Sequence, residues 1–113
     1  METSILIATK EILGLDADDD AFDLDIITHV NTAFSVLYQL GVVSSVVTIT
    51  DVQNTWADLE LPDEILALVR SYIFLKTQYI WDPPTTGFLV KAREDQIAEL
   101  EYRLNMYAEG GVL

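Results

Sequence analysis

Apolar residues recur every three or four positions in four stretches of the chain, which is the spacing of helices that each bury one face. Gly14 and Gly41 follow the first two stretches, and the pair Pro83 and Pro84 separates the last two. Glycine commonly follows a helix C-terminus, and proline cannot continue a helix. The predicted helices span 4–13, about 21–40, 62 to about 81 and about 86–107.

The third predicted helix is apolar on nearly every side, because its few polar residues are scattered and not grouped on one face. Such a helix lies at the centre of a bundle or is covered by another subunit. Residues 42–50, which precede it, are β-branched almost without a break and favour a strand. Their number suits one short β-hairpin or a single extended arm, and not a sheet of several strands.

These patterns predict an all-α fold, a four-helix bundle-like domain with one short β-hairpin or extended arm between helices 2 and 3. The length of 113 residues fits one domain, which we place at 1–108, followed by a flexible C-terminal tail at 109–113. Half of the residues are hydrophobic, and this content excludes intrinsic disorder.

The charge balance excludes several classes of partner. Nineteen Asp and Glu against six Lys and Arg give a formal net charge of −13, whereas nucleic acids and anionic membranes are bound by clustered Lys and Arg. The absence of cysteine excludes disulfides, thiolate catalysis and cysteine-based zinc sites. We expect no signal peptide, and no apolar run reaches the roughly 18 residues of a membrane span.

No motif for catalysis or for cofactor binding is present. His29 is the only histidine, and it lies beside the apolar stripe of the second helix, where a structural role is expected. The acidic stretch that begins at Asp16 does not match a calcium loop, because Ala21 and Ile27 occupy the positions of the required glycine and bidentate glutamate. Nothing marks out one pair of carboxylates for acid–base chemistry. We therefore predict no catalytic residue, no metal site and no cofactor.

Aromatic and β-branched residues are more numerous than four short helices need. They indicate either a well-filled core or a subunit interface, because aromatic residues are enriched at interfaces and an unpaired strand edge can pair with another chain. For the second possibility we predict a subunit interface formed by Val46, Val47, Ile49, Trp56, Trp81 and Phe88.

The second half of the chain resembles a known family. The runs that carry the resemblance are DEILALVRSYIFLK at 63–76, WDPPTTGFLV at 81–90 and QIAELEYRLN at 96–105. Together they resemble the small head–tail connector (adaptor) proteins of tailed bacteriophages, in which a helix ends in an aspartate and two prolines and a helix of the third type follows. The first half agrees with the family only in its layout of helices and a β-rich insertion.

The resemblance implies a non-enzymatic virion protein that is assembled in the host cytoplasm. Members commonly form a twelve-subunit ring below the portal protein, extend the DNA channel and dock the next connector, stopper or tail protein. The resemblance also implies that the C-terminal segment contacts the portal, here through Tyr107, Val112 and Leu113.

The acidic stretch has two interpretations. Asp16, Asp18, Asp19 and Asp20 would form an acidic channel wall that repels phosphate, so that DNA passes without specific binding. Alternatively, these aspartates form a solvated loop in which an aspartate caps the second helix.

Two other functions remain open on the sequence alone. One is an acidic helical binding module that mimics DNA and masks a basic partner. The other is an enzyme with an unmarked carboxylate site, which would need one acid of strongly raised pKa in an apolar pocket.

Overall fold

Four α-helices form where the spacing of apolar residues predicts them, and the fold is all-α as expected. The computed structural model describes residues 4–110. Its helices are α1 (Ile5–Ile12), α2 (Asp23–Gln39), α3 (Asp63–Trp81) and α4 (Gly87–Ala108), with a short 3₁₀ helix at Trp56–Leu59.

The helix ends follow from local chemistry. The Ser4 hydroxyl accepts a hydrogen bond from the Ile7 amide (3.2 Å) and caps α1, and the Thr86 hydroxyl accepts one from the Leu89 amide (3.3 Å) and caps α4. Gly41 follows α2 with φ +84°, a left-handed conformation that favours glycine.

The start of α2 differs from the prediction. The helix begins at Asp23, two residues later than expected, and its N-cap residue is Phe22, which makes no side-chain capping bond. Asp23 and Asp25 instead lie in the first turn, where their negative charges interact favourably with the positive end of the helix dipole. The capping aspartate expected from the sequence is therefore replaced by dipole stabilisation from within the helix.

Helix α3 is central, because it packs against each of the other three helices. Trp81 at its end meets Phe22 at the start of α2, so the two helices are antiparallel. Tyr72 and Tyr79 of α3 reach Glu101 and Glu94 of α4 respectively, so α3 and α4 are antiparallel as well. The nearly all-apolar surface of α3 is explained by these contacts within the chain.

The core is formed mainly by α1, α2 and α3, and α4 contributes only two buried apolar side chains, Ile97 and Leu104. The side chains that are almost completely buried are large and mostly aliphatic. They include Ile5, Leu6, Ile26, Val30, Phe34, Leu37, Ile49, Val69, Tyr72, Ile73 and Leu104.

The segment between α2 and α3 forms no hairpin, and a single antiparallel bridge between Ser4 and Thr55 is the only β-pairing within residues 4–110. Ile49 is buried in the core, and the side-chain amide of Asn31 forms hydrogen bonds with both the amide and the carbonyl of its backbone. The Ile5 amide also donates to the Asn54 carbonyl (3.0 Å), which ties the start of α1 to this segment. A β-branched run needs a neighbouring strand to form a ladder, and none is available here.

Candidate interaction surfaces

The residues predicted for a subunit interface separate into buried and exposed groups. Ile49 is 1% exposed and belongs to the core of the chain itself. Trp56 is also buried; its ring packs edge-on against Phe74 at 5.7 Å, and the Arg70 guanidinium lies 5.3 Å from the ring centre. Because neither Ile49 nor Trp56 reaches the surface of the folded chain, we remove both from the interface.

Val46 and Val47 lie on a surface that we call the loop surface, formed by residues 44–48 after α2. Val46 is 61% exposed, and Val47 is half-buried against the core. In the described part of the chain, no backbone amide of the loop surface donates to a backbone carbonyl. This surface therefore combines an exposed apolar side chain with unpaired backbone groups.

Trp81 and Phe88 lie at the other end of α2, where α2 begins, α3 ends and α4 begins. The Phe22 and Trp81 rings are in edge-to-face contact at 5.2 Å, and Phe88 is 83% exposed. Leu24 and Leu89 are also exposed at this end. We call the set Phe22, Leu24, Trp81, Phe88 and Leu89 the end patch.

The four aspartates predicted for a channel wall are all exposed in the loop between α1 and α2. The Asp19 carboxylate accepts a hydrogen bond from the Ala21 amide (3.1 Å), which closes a local turn. Among the described residues no group of three or more His, Asp or Glu side chains is arranged to hold a metal ion. The acidic loop is thus a solvated surface that leads directly into the end patch.

A buried lysine that the sequence pattern did not predict holds this loop in place. Lys10 of α1 is 1% exposed; its ammonium lies 2.9 Å from Asp23 Oδ1 and donates to the Ala17 carbonyl at 3.0 Å. Lys10 is the only basic residue among the first 64, and it precedes a dense run of aspartates. That isolation was the available signal, but spacing alone does not show which aspartate it would pair with.

Helices α3 and α4 are joined by polar contacts along their seam. The Tyr72 hydroxyl donates to Glu101 Oε2 at 2.7 Å, and the Tyr79 hydroxyl donates to Glu94 Oε2 at 3.2 Å. Burial, together with the bond to Glu101, raises the pKa of Tyr72 well above its usual range. Desolvation and the bond to Glu94 also raise the pKa of Tyr79.

Two clefts flank this seam. One, of about 300 Å³, lies beside the α3–α4 turn and is lined by residues that include Tyr79, Pro83, Pro84 and Leu89. The other, of about 380 Å³, has Ile97 and Ala98 among its lining residues and carries Lys76 and both glutamates of the seam. His29 lies on α2, half-buried, and lines neither cleft.

Of the residues predicted to contact a portal, only Tyr107 lies within the described range. It is half-buried and packs against the core near the end of α4. Val112 and Leu113 lie outside the described residues.

No helix among residues 4–110 has the length and apolar content needed to cross a membrane.

A comparison with known protein families finds a match that covers almost the whole chain. A family model described as "Phage connector protein" matches residues 5–111. No curated protein and no solved structure matches the chain significantly.

Proposed function

The chain belongs to the phage connector protein family, a family of virion structural proteins, and from that premise we propose that it is a head–tail adaptor that forms a ring below the portal protein. In this role it extends the DNA channel and docks the next connector or tail component. The match of the family model over residues 5–111 is the observation that carries the proposal. The ring, its subunit number and its partners are the parts that go beyond the family.

The loop surface supports a contact between subunits. A ring requires a head-to-tail contact in which one patch of a subunit meets a different patch of the next. Val46 offers an exposed apolar side chain, and the unpaired backbone amides around it can pair with an extended segment of another chain. We assign Val46 and Val47 to this contact.

The charge of the chain supports passage of DNA without binding. Phosphate is held by clustered cations, and a chain of net charge −13 repels it. Among residues 1–64 there are thirteen acidic side chains and one basic side chain, Lys10, which is buried and paired with Asp23. In a ring that turned the acidic loop inward, Asp16, Asp18, Asp19 and Asp20 would line the channel.

The test of ring formation is the native mass, measured by light scattering over a wide range of concentration. Twelve copies of the 12.7 kDa chain give about 150 kDa. The variant Val46→Lys/Val47→Lys should remain helical and lose the large species, because it places charge in the contact. Tyr102→Lys, at a residue 65% exposed on α4, is the matched control and should keep the ring.

The ring could also require the portal as a template, and the same measurement tests this. If the chain is monomeric alone, the native mass is measured again with purified portal protein, where a ring should form on the portal. A monomer under both conditions, with tight and salt-sensitive binding to a basic protein, would contradict the adaptor role and favour the acidic binding module.

The C-terminal segment is our proposed contact with the portal, through Tyr107, Val112 and Leu113. Deletion of residues 109–113 should leave the helical signal unchanged, because the described core ends before them. The shortened protein should fail to attach to portal-bearing heads. Unchanged attachment would contradict this assignment and leave the ring proposal intact.

A further inference from the structure

The end patch carries two strongly exposed apolar side chains. Leu24 is 77% exposed and Phe88 is 83% exposed, and they lie on two different helices whose ends meet α3 near the Phe22–Trp81 contact. Scattered exposed apolar residues are ordinary on a protein surface, but a cluster indicates an interaction site. Here three helix ends bring such residues to one end of the molecule.

Exposed carboxylates adjoin these residues along the chain. The acidic loop runs directly into Phe22, Asp25 adjoins Leu24, and Asp82 follows Trp81. The nearby cations do not offset them, because Lys10 is buried against Asp23 and Lys91 lies 3.4 Å from Asp95. The end patch is therefore an apolar centre with a strongly negative rim.

A second copy of this chain does not complement such a surface. Two end patches face to face would set like charges against each other, which is unfavourable. Four cations remain: Arg70 lies over the Trp56 ring, Lys76 lies 4.0 Å from Glu101, Arg93 donates to Gln78, and Arg103 is exposed on α4. Three of the four are thus engaged within the chain and leave no cluster of free cations. The complementary surface must come from a different protein.

We propose that the end patch docks a different protein of the virion connector, one whose surface carries Lys and Arg around an exposed apolar side chain. The inference rests on the proposed adaptor function and deepens it by naming the site and the chemistry of a partner. The cleft of about 300 Å³ beside Leu89 receives the apolar anchor; its lining includes Tyr79, Pro83 and Pro84 and also the charged pair of residues Asp82 and Arg93. This assignment replaces the subunit-interface role that the sequence predicted for Trp81 and Phe88.

The experiment measures binding of the purified protein to two probes, DNA-filled heads and free tails, both from an infection that lacks this protein. Leu24→Ser/Phe88→Ser should weaken binding to one of the two probes at least about tenfold, because it removes the exposed apolar centre. Tyr102→Ser, on the same helix as Phe88 but far from the patch, is the matched control and should bind as the wild type does. Circular dichroism checks that each variant remains helical.

The charge of the partner is tested by salt. Wild-type binding should weaken between about 50 and about 300 mM salt, because surface charges are screened over that range. Asp18→Asn/Asp19→Asn/Asp20→Asn should weaken binding at low salt and reduce the dependence on salt. Binding that strengthens as the salt concentration rises would contradict the proposal that the partner is basic.

The remaining outcomes separate the inference from the function. If the wild type binds a probe and Leu24→Ser/Phe88→Ser binds equally well, the docking site is wrong and the adaptor function stands. If the wild type binds neither heads nor tails, the adaptor function fails and the inference fails with it.

Discussion

The side-chain amide of Asn31 makes both of the backbone hydrogen bonds that a neighbouring strand would have offered to Ile49. Its Nδ2 donates to the Ile49 carbonyl at 3.1 Å, and its Oδ1 accepts from the Ile49 amide at 2.8 Å. One helix side chain thus replaces a β-ladder and holds the segment between α2 and α3 against the core.

Asn31→Ala should destabilise the protein by about 1–3 kcal/mol, because it leaves two backbone groups without partners in a partly buried place. Chemical denaturation followed by circular dichroism measures the loss. Thr32→Ala is the matched control, since the neighbouring Thr32 is exposed and bonds only within α2. Equal stability of the two variants would show that the Asn31–Ile49 contact contributes nothing.

Truncation should lower the stability of the protein strongly at Ile49 and hardly at all at Val46, although both residues were predicted from the sequence for the interface. Ile49→Ala should cost about 2–5 kcal/mol, because it opens a cavity in the core. Val46→Ala should stay within about 0.5 kcal/mol, because Val46 is exposed. Denaturant midpoints of the two variants decide the matter, and a small effect at Ile49 would place this segment outside the core.

Lys10→Met should destabilise the protein by about 3 kcal/mol, because it leaves the Asp23 carboxylate without its buried counter-charge. Lys91→Met removes an exposed pair with Asp95 and should change the stability by less than about 0.5 kcal/mol. A comparison of the two denaturation curves tests the difference. The double variant Lys10→Met/Asp23→Leu should recover part of the loss, since it removes both charges together.

Tyr72 makes the fold sensitive to alkali. Burial and the bond to Glu101 raise the pKa of its phenol in the folded state, so the folded state holds the proton more tightly than the unfolded state. The resulting stabilisation is fully present below the ordinary tyrosine pKa of about 10 and is lost as the pH rises above it. The free energy of unfolding of the wild type should therefore fall above about pH 10.

Tyr72→Phe should flatten that alkaline decline and cost about 1 kcal/mol at neutral pH, where it removes the bond to Glu101. Denaturation curves at several pH values between about 8 and about 11 measure both effects. Tyr102→Phe, at an exposed residue, is the control and should follow the wild-type curve. An equally steep decline in Tyr72→Phe would mean that another group controls the alkaline response.

The helices could be predicted from the sequence because apolar spacing and glycine stops are local signals. Ile49 could not be placed in the same way, since its burial depends on Asn31, 18 residues earlier, and no local pattern reveals that contact. Lys10 was missed for the same reason, because its pairing partner lies on another helix. Phe88 was predicted for a subunit interface; it lies exposed at the start of α4, and which partner it faces depends on how three helices meet and not on any local pattern.

The bond between the Ile5 amide and the Asn54 carbonyl bears on the order in which the chain acquires its structure. Of the four helices α1 is synthesised before the other three, yet its start is bonded to a residue about fifty positions later. Contacts of such long sequence separation form late, because a large loop must close before they contribute. The pair α3 and α4, joined by a short turn, needs no such closure. We therefore expect α1 to be the last of the four helices to become stable. In a ribosome-bound fragment that ends before Asn54, the amides of α1 should be unprotected against hydrogen exchange.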